Sequence, residues 1–298
     1  MSKVTICPNR CYLCNNETLD QVEGSVRDYP HLKILKCGKC GLVFLDSFAH
    51  IDETYYENSK MLTEASLSLD KWAKENYEQN DSRAKALTPS IINKLVLDFG
   101  CGEGGFLNNI KPIAKACCGV EMAKILREQI VEKYKIQMFP NMEAVNGKFG
   151  VMTMFHVIEH LKDPIATLNL MKKNLADDGM IYIETPNVND ALLSLYENES
   201  FSNFTYWGCH LYLYSKNTLK TLIEKAGFKL NYIKQIQRYP LSNHLYWLSK
   251  GKPNGHRVWE ALNTESLKIA YGSVLANLGI ADTIIASISI KEADESNI

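Results

Sequence analysis

The segment Val96-Leu97-Asp98-Phe99-Gly100-Cys101-Gly102-Glu103-Gly104-Gly105-Phe106 limits the fold more than any other part of the chain. An apolar run of strand length ends in clustered glycines. These let the backbone turn sharply and let a ligand come close to the main chain, with a helix N-terminus following. From Lys94 onward, short apolar runs alternate with amphipathic segments, the pattern of a βαβ parallel sheet. Strands are predicted at 94–99, 115–121, 135–139, 149–155, 180–185, 229–237 and 283–290. One helix is punctuated by Asp163 as N-cap and Pro164 at its first position, and it closes before Asp178-Gly179. Another starts at Ser215, runs through Leu219, Leu222 and Ile223, and stops at Gly227.

Gly100, Gly102 and Gly105 also satisfy a G-x-G-x-x-G pattern, so a dinucleotide site must be weighed. Asp98 decides against it. A carboxylate two residues before the first glycine has the wrong sign for a pyrophosphate and suits a ligand with an ammonium group, such as the methionyl end of S-adenosylmethionine. Glu121 ends the second strand, at about the ~20-residue separation where an acid grips ribose hydroxyls. Phe99 and Met122 are expected to flank the nucleoside.

Cys11 and Cys14 form one C-x-x-C pair, and Cys37 and Cys40 another, about twenty residues on. Two such knuckles aim four thiolates at one ion, so a structural zinc ribbon is expected over residues 1–50, a stretch too short and polar to build its own core. Its strands are predicted at 32–36 and 42–45. Cys7 reads as a spare thiol or a replacement for Cys11. Residues 51–90 read as a helical connector covering the cofactor site. Residues 91–298 form the main domain, with aromatic insertions at 188–214 and 239–280. The 33 Lys and Arg balance 34 Asp and Glu, which removes the basic footprint of a chain whose main partner is nucleic acid. No apolar run approaches the ~20 residues that span a bilayer, and the start lacks a signal-peptide stretch. A cytoplasmic protein is expected, with a homodimer as one assembly it allows.

The chain resembles class I S-adenosylmethionine-dependent methyltransferases over roughly residues 90 to 235. The resemblance rests on Leu97 to Gly104, on Gly119-Val120-Glu121, and on Phe155-His156-Val157-Ile158-Glu159-His160-Leu161-Lys162-Asp163-Pro164, which is similar to an E-H-L-x-D-P signature after strand four. Asp178-Gly179 and Glu184-Thr185-Pro186-Asn187 match the post-helix turn and strand five. The resemblance implies an α/β, Rossmann-like, seven-stranded sheet with 283–290 antiparallel. It also implies cofactor contacts from Asp98, Phe99, Gly100, Cys101, Gly102, Gly104, Glu121, Met122 and Phe155. The layout of ribbon, tyrosine-bearing connector and methyltransferase core is similar to sugar methyltransferases, including C-methyltransferases. His210 matches their histidine, but Cys209 stands where the C-methyltransferases carry a glutamate, and their long C-terminal domain is missing. Sugar O-methylation, on a nucleotide sugar or surface-glycan precursor, is therefore expected. An RNA methyltransferase whose ribbon grips nucleic acid, and a sugar C-methyltransferase, are the alternatives.

A base must take the acceptor's proton, and an imidazole suits that task. His210, set among Phe204, Tyr206, Trp207, Tyr212 and Tyr214, is the leading candidate. His156 closes strand four, where this fold delivers side chains to the transferred methyl, and reads as a substrate contact or second base. Glu159 and His160 read as turn hydrogen bonding, or with His156 as a divalent metal site like that of ubiquinone-type O-methyltransferases. Tyr56, beside Tyr55, lies where related sugar enzymes place a tyrosine near the reaction. Tyr239, His244, Tyr246, Trp247 and Trp259, with Lys250, Lys252 and Arg257, offer stacking faces and phosphate-binding cations. The helical spacing of Val258, Leu262, Leu267, Tyr271 and Leu275 reads as packing.

Overall fold

The computed structural model describes residues 9–52, 54–57 and 69–291. Cys7 and the connector residues 58–68 lie outside them. Three short strands open the chain: β1 (Leu19–Gln21), β2 (Ile34–Cys37) and β3 (Val43–Leu45). β2 and β3 form an antiparallel hairpin with Ile34 opposite Leu45, and β1 joins the other edge of β2. Gly41 takes a positive φ of 78° in the turn and donates its N–H to the Cys37 carbonyl. β1 was not legible in the sequence because Leu19-Asp20-Gln21 buries little and shows no alternation.

Helices α1 (Leu69–Glu75) and α2 (Tyr77–Ile91) precede the main sheet, and α2 turns Asn80, Ala84, Leu87 and Ile91 inward at helical spacing. Then come β4 (Leu95–Phe99), α3 (Gly105–Ile110), β5 (Ala116–Val120), α4 (Lys124–Tyr134), β6 (Gln137–Phe139), β7 (Phe149–Phe155), α5 (Pro164–Asn174) and β8 (Leu175–Pro186). Beyond them lie α6 (Ala191–Ser194), α7 (Glu199–Thr205), β9 (Tyr212–Leu213), α8 (Lys216–Lys225) and β10 (Phe228–Ile236). The chain continues through α9 (Leu241–Lys250), α10 (Gly255–Val258), α11 (Glu265–Leu278) and β11 (Thr283–Ile290). Asp163 and Ser215 cap α5 and α8 as expected, each side chain accepting a backbone N–H of its helix's first turn.

The main sheet has the order β10-β11-β8-β7-β4-β5-β6, with β11 antiparallel to both neighbours. This is the expected seven-stranded, Rossmann-like sheet. The strand order reverses at β4, which has β5 on one side and β7 on the other. In an open α/β sheet such a switch point leaves a crevice at the strands' carboxyl ends. Here it sets Asp98 and Gly100 beside His156.

Two local readings are corrected. Asp178-Gly179 is no free turn: it sits in a bulge of β8, between the pairs Phe149↔Leu175 and Val151↔Met180. The stripe read as packing in the last insertion is largely outward. Val258, Leu262 and Leu267 are exposed, and only Leu275 is fully buried, against Ala191 and Ala281.

The cysteine-bearing segment is not a separate bead. β3 pairs with β9, Val43 opposite Leu213, so the small sheet runs β1-β2-β3-β9. Tyr12 donates its hydroxyl to Asp163 Oδ1 at 2.6 Å and accepts the Ile165 N–H at 3.1 Å. Ribbon residues Leu13, Ile34, Leu42 and Phe44 share one core with the sheet residues Met152 and Ile183.

Candidate functional site

A cavity of about 650 Å³ opens at the switch point. Its floor is the turn after β4. Gly100 has φ 72°, and a Cβ there would lie 2.4 Å from Val157 Cγ2, so only glycine fits. Gly102 has φ 52° and lies under the Trp72 ring.

Three carboxylates face this floor. Asp98 is buried and accepts from Thr153 Oγ1 at 2.7 Å. Glu121 follows β5 and accepts the N–H groups of Gly102 (3.1 Å) and Ala123 (2.9 Å). Glu103 accepts from Asn80 Nδ2 at 2.7 Å. Burial pushes Asp98 up to about 7; Thr153 and Arg83 oppose it, while Glu103 and Glu121 add to it. Burial also raises Glu103 and Glu121. At a floor where three acids crowd each other, a ligand bringing an ammonium and a sulfonium fits where a pyrophosphate does not.

This has a consequence for pH. A cation must meet ionised Asp98, so below pH 7 a proton has to leave before the ligand binds. Affinity for S-adenosylmethionine should therefore rise with pH, by up to about tenfold per unit below ~7, and level off above. Calorimetry in buffers of different ionisation enthalpy should register proton release near pH 6. A dissociation constant flat between about pH 5.5 and 7.5 would remove Asp98 from cation binding.

At the other end stands His156, the residue after β7, with a φ of 55° that is uncommon for a residue with a side chain. Its ring lies between two buried acids: Nε2 is 2.9 Å from Glu184 Oε1, and Nδ1 is 3.4 Å from Glu159 Oε1. Arg83 grips Glu184 with Nε at 3.2 Å and a terminal nitrogen at 2.6 Å, and its guanidinium covers the Phe155 ring at 4.6 Å. Burial pushes both acids up, but their partners outweigh it. His156 and Arg83 hold Glu184 well below the usual carboxylate range, and the histidines 156, 160 and 210 bring Glu159 to about 2. Both therefore stay ionised at neutral pH.

The cavity brings together most of the expected cofactor residues. Asp98, Phe99, Gly100, Cys101 and Gly102 line it, as do Glu121, Met122 and Phe155. Gly104 does not line it and serves as the left-handed N-cap of α3. His156 and Tyr56 line the cavity, and the Tyr56 hydroxyl donates to the His160 carbonyl at 3.3 Å. His210, the expected leading base, stands one ring further back, edge-on to His160 at 5.0 Å and to Trp207 at 5.6 Å. Pairing of β9 with β3 pulls its loop toward the ribbon. Burial, with His160 adding, lowers its imidazole to about 3. The insertion's aromatics mostly pack inward: Trp247 against Phe201 and Phe204, His244 against Tyr271, and Tyr246 against Trp259. Of them only Tyr239 reaches the cavity.

Sequence reasoning missed the α2 face of Gln79, Asn80 and Arg83, the turn Asn141-Met142-Glu143 after β6, Glu184, and Arg238. The only signal in the sequence was that Glu184 interrupts the strand-like run 180–185.

Cys11, Cys14, Cys37 and Cys40 converge, all four sulfurs within 4.8 Å of one another. Cys11 and Cys40 sulfurs lie 3.4 Å apart, and those of Cys14 and Cys37 3.5 Å. A tetrahedral zinc with ~2.3 Å bonds needs sulfurs roughly 3.8 Å apart, so the set fits the ion with small adjustments.

Comparison with known proteins agrees with this geometry. Residues 69–233 match the family described as a methyltransferase domain. A tRNA U34 carboxymethyltransferase from Campylobacter jejuni is 27% identical over 158 residues, which is 49% of this chain and 53% of that protein. A ubiquinone biosynthesis O-methyltransferase from Hydrogenovibrio crunogenus is 23% identical over 176 residues, 52% of this chain and 73% of that one. The chain thus spans about half the length of the Campylobacter relatives it matches. In fold, it is similar to a SAM-dependent methyltransferase from Thermotoga maritima, with a TM-score of 0.50 at 18% identity over 82% of this chain and 100% of that one. Among the described residues, no helix is long and apolar enough to cross a membrane.

Proposed function

Because the chain belongs to the methyltransferase-domain family over residues 69–233, we propose that it transfers the methyl group of S-adenosylmethionine to a sugar hydroxyl on a nucleotide sugar or surface-glycan precursor, with His156 as the base. Family and fold carry the transferase activity and the cofactor. The acceptor and the roles of individual residues are inferred from the cavity. The single observation behind them is that His156, paired with the buried Glu184, lines the same cavity as the acidic floor.

Bound there, S-adenosylmethionine supplies a methyl group on a cationic sulfur, and in-line transfer gains most from alignment and exclusion of water. Asp98 would hold the ammonium, Glu121 the ribose hydroxyls, and Phe99 and Met122 the faces of the base. Glu184 accepts the Nε2 proton of His156 and so fixes the tautomer whose Nδ1 takes the acceptor's proton. Glu159 Oε1, 3.4 Å from Nδ1, stabilises the imidazolium that results. Arg238 lines the cavity with a buried Nε that lacks a hydrogen-bond partner, and Tyr239 stands beside it. This guanidinium, which also lies 3.8 Å from Asp282 Oδ1 and 3.9 Å from Glu184 Oε1, and the aromatic face beside it suit a phosphate-bearing sugar. Cys11, Cys14, Cys37 and Cys40 hold a structural zinc, a closed set with no open position for substrate.

A tRNA acceptor is the second reading, favoured by the likeness to the Campylobacter tRNA U34 carboxymethyltransferase and disfavoured by the chain's balanced charge. Radiolabelled cofactor offered with nucleotide sugars, with glycolipid precursors and with bulk tRNA separates the two. Label in either of the first two pools supports a sugar acceptor. Label confined to tRNA replaces it with the second reading.

A further inference from the structure

Behind the wall formed by His160, a second set of metal donors converges. One ring nitrogen of His160, one of His210 and the sulfur of Cys209 lie within 4.8 Å of one another. They come from two elements held by independent contacts. His160 belongs to the short 3-10 turn Ile158–His160 after β7. Cys209-His210 sits in a loop fastened to the ribbon: Gly208 donates its N–H to Asp28 Oδ1 at 2.7 Å, its carbonyl meets His50 Nε2 at 2.7 Å, and the Leu45 N–H is donated to the Leu211 carbonyl. Three side chains brought together by a locked loop and a locked turn form a preorganised set.

Two polar atoms here are buried without a partner: His160 Nδ1 and Glu159 Oε1. Such orphans are costly, and each calls for an explanation. An ion on His160 accounts for the first of them. If Nδ1 of His160 ligates a metal, Nε2 is left facing Glu159 Oε1 at 4.0 Å, the carboxylate–histidine–metal relation that orients ligating imidazoles.

We propose that His160, Cys209 and His210 form a second metal site, distinct from the ribbon, that takes Zn²⁺. One thiolate and two imidazoles suit a borderline-soft ion. The Cys209 thiol gives up its proton to solvent as the ion binds. Three protein ligands leave a fourth position for a water, and of the three only His160 also lines the cavity. The set differs from the His156, Glu159 and His160 combination suggested by the sequence, because the donor atoms that converge within 4.8 Å are those of His160, Cys209 and His210. The site itself rests on donor geometry alone; its place at the acceptor end rests on the methyl-transfer reading.

The test is metal stoichiometry on the whole chain, equilibrated with zinc and desalted. Two zinc ions per chain are expected, falling to one in Cys209→Ser/His210→Ala. In case that variant does not fold, zinc X-ray absorption of the unsubstituted protein gives an independent reading. Sulfur and nitrogen together in the first shell support the site; one zinc per chain with an all-sulfur shell overturns it. A full second equivalent of zinc in the folded variant overturns it as well. These readouts need no cofactor or acceptor, so a failed methyl-transfer assay leaves the metal count to stand by itself.

Discussion

His156→Ala is expected to slow methyl transfer by about 10²–10⁴-fold, the usual contribution of a positioned general base, while leaving the dissociation constant for S-adenosylmethionine within a few-fold. The split follows from the geometry. The cofactor floor is built from Asp98, Glu121 and the Gly100 turn, none of which depends on the His156 ring for a hydrogen bond. Without the ring each acid still keeps one partner, Arg83 for Glu184 and the Thr185 hydroxyl at 3.0 Å for Glu159 Oε2. The fold should therefore survive, and the loss should fall on kcat. Glu184→Gln should follow in the same direction, because the amide no longer fixes the tautomer with a charge, but it also unpairs Arg83 and so costs stability. Single-turnover transfer from bound radiolabelled cofactor measures the first effect. Unchanged turnover in His156→Ala would move the base elsewhere.

The second large effect concerns the ribbon. Cys37→Ser/Cys40→Ser should abolish binding of the ribbon zinc, with a loss on the order of the ~10–16 kcal/mol seen for structural zinc in small finger peptides. Without the ion, a hairpin of three- and four-residue strands has too little core to hold itself. The damage should spread, because β3 lends an edge to β9, and Tyr12, between two of the cysteines, fixes the Asp163 cap of α5. Activity should fall at least about tenfold although none of the four cysteines lines the cavity. Thermal unfolding and metal content measured together check this. A zinc-free variant with unaltered melting and turnover would show the cluster to be dispensable.

Much of the sheet could be read from the sequence because parallel strands buried on both faces are continuous apolar runs. The span 149–155 reappears unchanged as β7, and 283–290, although antiparallel, as β11. The cofactor floor was legible for a similar reason, since glycines and an acid at a strand's tip are contiguous. The acceptor end was not. Arg83, Glu184 and Arg238 come from α2, β8 and the loop after β10, and only the assembled fold brings them together. His210 shows the reverse failure. Its aromatic neighbours suggested a reaction centre, but Tyr212 and Leu213 pair with the ribbon and carry the histidine behind His160. The last insertion misled by periodicity, because a helical stripe records which residues share a face and not whether anything covers it.

The most direct measurement is a crystal structure of the protein with S-adenosylhomocysteine. The amino group should lie on Asp98 and the ribose on Glu121, with the sulfur opening toward His156 in the space shared with Arg238. A ligand whose sulfur faces away from His156, or whose ribose leaves Glu121 untouched, would contradict the arrangement proposed for transfer.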